Sequence, residues 1–214
     1  MKKLSLALLP GLLLIAGCHI GGIMGNGHIV NDPRTVTDFS EIEANGGFRI
    51  EWRTGTPSLV ITTDQNLLQY ISAENEDHRL ILHSRGNLWP THNITVVLTS
   101  PQRSGAKLNG AARLTADGLS GPNFAVESTG AARVHLSGKV DDLITDMTGA
   151  SKLEADTLQT RTAEISSTGA SHAEVAVSES LKVSITGAGK VIYSGNPPTV
   201  EKHVSGAGSI RHKD

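Results

Sequence analysis

Apolar and polar residues alternate in short bursts along most of the chain. Phe48, Ile50 and Trp52 alternate with Arg49, Glu51 and Arg53, the period of two expected of a strand with one buried face. Leu80 and Leu82 alternate with Arg79, Ile81 and His83, and Ile94, Val96 and Leu98 with Thr95, Val97 and Thr99. A further strand is expected near residue 60, with either Leu59 and Ile61 or Val60 and Thr62 on its inner face. From Asp64 to Ile71 the pattern predicts one short helical turn with Asp64 as its N-cap.

The second half repeats itself. Gly-Ala recurs at Gly110-Ala111, Gly130-Ala131, Gly149-Ala150, Gly169-Ala170, Gly187-Ala188 and Gly206-Ala207, in steps of 20, 19, 20, 18 and 19 residues. Four positions after each glycine stand Leu114, Val134, Leu153, Ala173, Val191 and Ile210. Two positions before it stand Leu108, Ser128, Met147, Ser167, Ile185 and Val204. A repeat of this length cannot bury its own apolar face, so copies must stack. Each copy is expected to run strand, tight glycine corner, strand, with like positions piled at the inter-strand spacing and the stack extending roughly 24 Å. Glycine permits the unusual backbone of the corner, and the alanine is expected to sit inside the bend. The rival is an antiparallel sandwich with turns every 8–12 residues, which does not require one dipeptide at a fixed period. The expected fold class is all-β: a parallel β-helix-like solenoid with ~19-residue coils over 105–212, preceded by a section of short strands.

Composition fits thin, layered cores. The 214 residues are 38% hydrophobic but only 3% aromatic, with 23 Gly. The formal charge is −2, or −4 once Lys2 and Lys3 are removed with the leader described next. No basic excess marks a nucleic-acid binder, and no nucleic-acid partner is expected.

Residues 1–17 read as an export signal: Lys2-Lys3, an apolar run from Leu4 to Ile15 broken by Ser5, Pro10 and Gly11, then Ala16-Gly17. The run is shorter than the ~20 residues of a membrane-spanning helix. Leu14-Ile15-Ala16-Gly17-Cys18 resembles the bacterial lipobox, which implies cleavage before Cys18 and lipid attached to its sulfur. Cys18 is the sole cysteine, and a lone thiol in an exported protein otherwise calls for a partner. The next residue is His19 rather than Asp, which favours the outer membrane. Residues 18–30, with Gly21, Gly22, Gly25 and Gly27, read as the lipidated cysteine and a Gly-rich tether. Residues 31–214 read as a single domain.

The order of several modest motifs resembles the auto-transporter adhesin, head GIN domain family. They are Gly25-Asn26-Gly27, Val36-x-Asp38-Phe39-x-x-Ile42, Gly47-Phe48-x-Ile50, Asp64-x-Asn66-Leu67-Leu68-x-x-Ile71, Leu80-Ile81-Leu82 and the glycine corners. The resemblance spans about His28 to His212. It implies a right-handed β-helix-like fold, export and an adhesin-like surface role, and it supplies no catalytic residues. Relatives favour Gly-Ser-Gly corners where this chain has Gly-Ala.

Catalytic patterns are sparse. Gly149-Ala150-Ser151 and Gly169-Ala170-Ser171 lack the closing glycine of a nucleophile elbow. Gly187-Ala188-Gly189 lacks the third glycine of a dinucleotide fingerprint. His78, His83 and His92 lack zinc-type spacing, and Asp141, Asp142 and Asp146 are a thin basis for calcium. No metal, cofactor or catalytic residue is expected. One polar pattern stands out: three positions after each corner glycine come Arg113, Arg133, Lys152, His172 and Lys190, then Ser209. Stacking makes this an outward ladder. Glu127, Asp146, Glu154 and Glu174 are the acids that could interleave and neutralise it. Left free, Arg113, Arg133, Lys152 and Lys190 would meet acidic polysaccharide or lipopolysaccharide phosphates. Three function classes follow: a non-catalytic binding or adhesin-like module, a structural lipoprotein contacting the membrane and envelope proteins, and, least favoured, a polysaccharide-acting enzyme.

Overall fold

The computed structural model describes residues 21–213. The expected leader, Cys18 and His19 lie outside the described residues. The chain runs through β1 (Ile23–Met24), β2 (Ile29–Arg34), β3 (Glu41–Asn45), β4 (Phe48–Thr54), β5 (Ser58–Asp64), a 3₁₀ turn (Gln65–Tyr70), β6 (Ile71–Glu76), β7 (Arg79–Ser84), β8 (Leu88–Trp89) and β9 (Ile94–Ser100). It continues through β10 (Gly105–Gly110), β11 (Arg113–Gly130), β12 (Arg133–Gly149), β13 (Lys152–Gly169), β14 (His172–Gly187), β15 (Lys190–Ser194), β16 (Thr199–Gly206) and β17 (Ser209–His212).

The repeats pair in parallel, each a coil of a β-solenoid of about five turns. This settles the choice against the antiparallel sandwich. Register is set by the corner: Gly110, Gly130, Gly149, Gly169, Gly187 and Gly206 are successive partners. Each has φ between 108° and 117°, a backbone that L side chains rarely adopt. A second constraint is packing. The Gly130 carbonyl accepts the N–H of Ala150 at 2.8 Å, and a Cβ built on Gly149 would lie 2.4 Å from that same oxygen. Only glycine both turns the corner and lets the next coil close down on it.

The corner alanines do not sit inside the bend. Ala131, Ala150, Ala170 and Ala188 are exposed, and the inward position is the next residue: Ala112, Ala132, Ser151 and Ser171. Alternation then returns the third position outward and the fourth, Leu114 through Val191, to the core.

The short-stranded section belongs to the same stack. β3 pairs in parallel with β10 and β4 with β11, so Gly46, with φ 145°, extends the corner column. β7 and β9 form a further parallel layer beneath β3 and β4. Antiparallel β5, β2 and β6 then end the stack. Leu59 and Ile61 take the inner face of β5. At this end Trp52 stacks against Phe39 at 6.1 Å and lies 6.2 Å from Phe124. Arg103 is 6% exposed and donates to the carbonyls of Trp52, Asp117 and Gly118 and to Thr54 Oγ1, joining β4 to the first repeat. Burial lowers its basicity, against the pull of Asp117.

Two local expectations change. Asp64 does precede a helical turn, but its side chain makes no cap hydrogen bond. Its carboxylate accepts instead from Gly27 N at 2.7 Å, Thr91 N at 2.9 Å and Thr91 Oγ1 at 2.8 Å. From Ile23 the glycine-rich stretch is docked, through β1 against β8 and Gly27 on Asp64, rather than standing free. At the far end Lys202 occupies the register position of Val183, with Nζ 5.1 Å over the Tyr193 ring. A charge at a core position of a terminal strand blunts an open sheet edge.

Candidate binding surface

The register carries the basic ladder across the coils. Arg113, Arg133, Lys152, His172, Lys190 and Ser209 are consecutive partners in the parallel stack. The column also has a member that the Gly-Ala period does not reveal, because Arg49 of β4 pairs with Arg113 and Thr95 lies beyond it. The signal was present in the sequence: Arg49 stands three positions after Gly46, as Arg113 does after Gly110. The offset of 64 positions between those two glycines, and Gly47 where alanine stands elsewhere, hide it.

The column is uneven in its neutralisation. Lys152 Nζ contacts Glu154 Oε1 at 2.5 Å and His172 Nε2 lies 2.9 Å from Glu174 Oε1. The hydrogen bond to Glu154 raises the Lys152 pKa, and the partner carboxyls of Glu154 and Glu174 are held below their usual range by Lys152 and His172 respectively. Of the four acids expected to interleave, only these two do so. Glu127 lies 3.6 Å from Lys107, and both Glu127 and Asp146 belong to a column on the other side of the corner. Arg49, Arg113, Arg133 and Lys190 have no carboxylate within ion-pair distance among the described residues. The first three line an open depression of about 300 Å³ with Asn93, Gly47 and Ala131.

Where the coil lengths differ, Lys139, Asp141, Gln159 and Arg161 border another hollow, of about 360 Å³. Its guanidinium is already committed: Arg161 makes two bonds of 2.8 Å to Glu179 and lies 3.9 Å from Asp141. Asp142 accepts from Thr162 Oγ1 at 2.6 Å. Asp141, Asp142 and Asp146 therefore do not converge, and no cluster of three metal-ligating side chains occurs among the described residues. Ser151 and Ser171 are 2% exposed, inside the solenoid. No helix among the described residues is long and apolar enough to cross a membrane.

Fold and surface together define a parallel β-solenoid with a glycine corner and an outward basic column beside it. The chain belongs to the family described as "putative auto-transporter adhesin, head GIN domain", whose model matches residues 38–197. Its fold is that of a "putative adhesin" from Bacteroides fragilis, which is 20% identical with a TM-score of 0.75 over 90% of this chain and 100% of the other. A "putative lipid binding protein" from Parabacteroides distasonis is 20% identical over 91% and 100% of the chains, with a TM-score of 0.54. A "putative adhesin" from Parabacteroides merdae is 19% identical over 90% and 99%, with a TM-score of 0.51. No curated protein matches the chain. The family's description agrees with an adhesin-like module of an exported protein, and the solved neighbours, at 19–20% identity, share its fold.

Proposed function

We propose that the protein is a non-catalytic envelope lipoprotein, held in the outer membrane through lipid on Cys18, whose solenoid binds acidic polysaccharide or lipopolysaccharide along the basic column. The observation that carries this reading is the register of Arg113, Arg133, Lys152 and Lys190 in one outward row, three of them without an acidic partner. A row of like charges is self-repelling, and a polyanion relieves that repulsion along its length. Replacing all four by Gln should weaken retention on heparin and lipopolysaccharide, and wild-type retention should fall as salt is raised. Equal retention of the two proteins sinks the reading. A purely structural envelope role is the alternative, favoured by the pairing of Lys152 and His172 with Glu154 and Glu174. In either case Cys18→Ser should abolish palmitate labelling and leave an uncleaved precursor.

A further inference from the structure

Charge neutralisation is unequal along the column. In the two middle coils the base is answered in its own coil, Lys152 by Glu154 and His172 by Glu174, while Lys190 in the coil beyond them is a single unanswered base. In the first three coils the residue two positions beyond the base gives no such answer. Glu51 lies beyond Arg49 but is engaged by Arg53 at 2.6 Å, Thr115 lies beyond Arg113, and His135 lies beyond Arg133. Asp117 and Glu154 approach His135, at 3.6 and 3.7 Å, rather than Arg133. Three guanidiniums at successive rungs, about 4.8 Å apart at the backbone, are thus left to face one depression.

The wall beside them is small. Gly47 and the exposed Ala111 and Ala131 follow the corner glycines of the same three coils, and a Cβ built on Gly47 would meet nothing within 4 Å. A ligand can therefore reach the backbone edge between the arginines, with Asn93 at the end of the row as a further polar contact. Arginine presents its donors as a planar fork suited to oxyanions. A single carboxylate has two oxygens and matches one fork. A sulfate or phosphate ester has three free oxygens and can engage adjacent forks at once.

We propose that Arg49, Arg113 and Arg133 form a discrete site for a sulfate or phosphate ester carried on a glycan. The proposal rests on the polyanion reading above and narrows it to three rungs and to one kind of anion. The site differs from a diffuse stripe in a way that can be measured, because a discrete site is blocked by bulk as well as by loss of charge. Ala131→Phe fills the depression without altering any charge. Ala170→Phe adds the same bulk at the exposed corner two coils on, outside the site.

The test uses the full chain in non-ionic detergent, with thermal melting to confirm folding of every variant. The probes are inorganic tripolyphosphate, a sulfated heparin tetrasaccharide and a carboxylate-only oligogalacturonate of equal length. Arg49→Gln/Arg113→Gln/Arg133→Gln and Ala131→Phe should each weaken tripolyphosphate and heparin binding at least tenfold. Ala170→Phe should stay within about threefold of wild type, and the oligogalacturonate should bind at least tenfold less tightly than heparin. Tighter binding of tripolyphosphate per charge than of heparin would identify phosphate as the source, and the reverse order sulfate. If Ala131→Phe binds like wild type while the arginine variant is weakened, the discrete site is overturned and the extended column stands. If tripolyphosphate binds at the three arginines but no polymer is retained, the site stands and the polyanion function falls. If no probe binds, both are overturned.

Discussion

The chain solves one stacking problem by two different means. From Gly105 onward, order comes from repetition: thin layers of Leu, Val, Ile and Ala, a glycine corner at fixed register, and no buried charge among the described residues. Between Ile23 and Arg103 the same parallel layers continue, but each is fixed by side chains that occur once. Trp52 donates to Ser100 Oγ at 2.9 Å, Asp64 gathers three donors, and buried Arg103 gathers four acceptors. The difference follows from position in the stack. An interior coil has a copy of itself on each side, so its backbone pairs are supplied automatically. A terminal coil has a neighbour on one side only, and the polar groups on its open side need dedicated partners. The antiparallel strands β2, β5 and β6 complete that ending, and the single-use side chains hold them there.

The contrast predicts different modes of failure. The repeats should be most sensitive at the backbone. Gly149→Ala must hold a non-glycine residue at φ 110° and place a Cβ 2.4 Å from the Gly130 oxygen. Backbone strain of this kind costs about 1–3 kcal/mol, and opening two coils to relieve the clash should bring the loss to about 3–5 kcal/mol. Chemical denaturation of the variant measures it. A loss below 1 kcal/mol would mean that the corner is not what sets the register. The same substitution at Gly47, outside the column and open on its Cβ side, should be mild.

The terminal region should instead be sensitive to charge. Burial opposes ionisation of Asp64, but the hydrogen bonds from Thr91 and Gly27 outweigh it and hold the carboxyl below its ordinary value of 3.8. A depressed folded-state pKa contributes stability that is fully present above the unfolded value and lost as pH falls through the folded one. Part of the acid destabilisation below about pH 4 should therefore come from this residue. Asp64→Asn should cost about 2–3 kcal/mol at neutral pH, because one amide oxygen cannot serve three donors. The variant should also flatten the acid limb of the stability profile. An unchanged acid limb would show that Asp64 is not the group responsible.

How much of this was legible in the sequence depends on what repeats. The coils from 105 on were visible because Gly110 and its five successors carry the register themselves, and the alternation at Phe48, Leu80 and Ile94 revealed those strands. Gly46 obeys the same rule, with Ile50 and Trp52 at the expected inward positions, but β5 through β9 separate it from its neighbour and erase the period. Arg49 was hidden with it. The ladder's composition was readable, whereas its neutralisation was not. Residues two apart on a strand share a face, so Lys152 and Glu154 could be paired from spacing. Whether Glu127 faced them depended on which side of the corner it fell. Asp64 was misread because a cap and a tertiary anchor need the same residue type, and Thr91 is too distant in sequence to signal its part.

The smallest expected effect tests the orientation of the corner. Ala150 is exposed and Ser151 is 2% exposed, with an Oγ that has no hydrogen-bond partner. Ala132 and Ala112 stand in the same column one and two coils earlier, so the stack already accepts a methyl group there. Ser151→Ala removes an unsatisfied buried hydroxyl and creates no significant void. It should raise stability by about 1 kcal/mol, toward the lower end of the desolvation cost of such a group. Ser151→Leu should overpack the bend and cost about 1–3 kcal/mol, whereas Ala150→Leu, pointing to solvent, should fall within about 0.5 kcal/mol of wild type. If Ala150→Leu proves the more damaging of the two leucine variants, the alanine lies inside the bend after all. The phase of every column after the corner, the basic one included, would then shift by one residue and turn Arg113 and Arg133 toward the core.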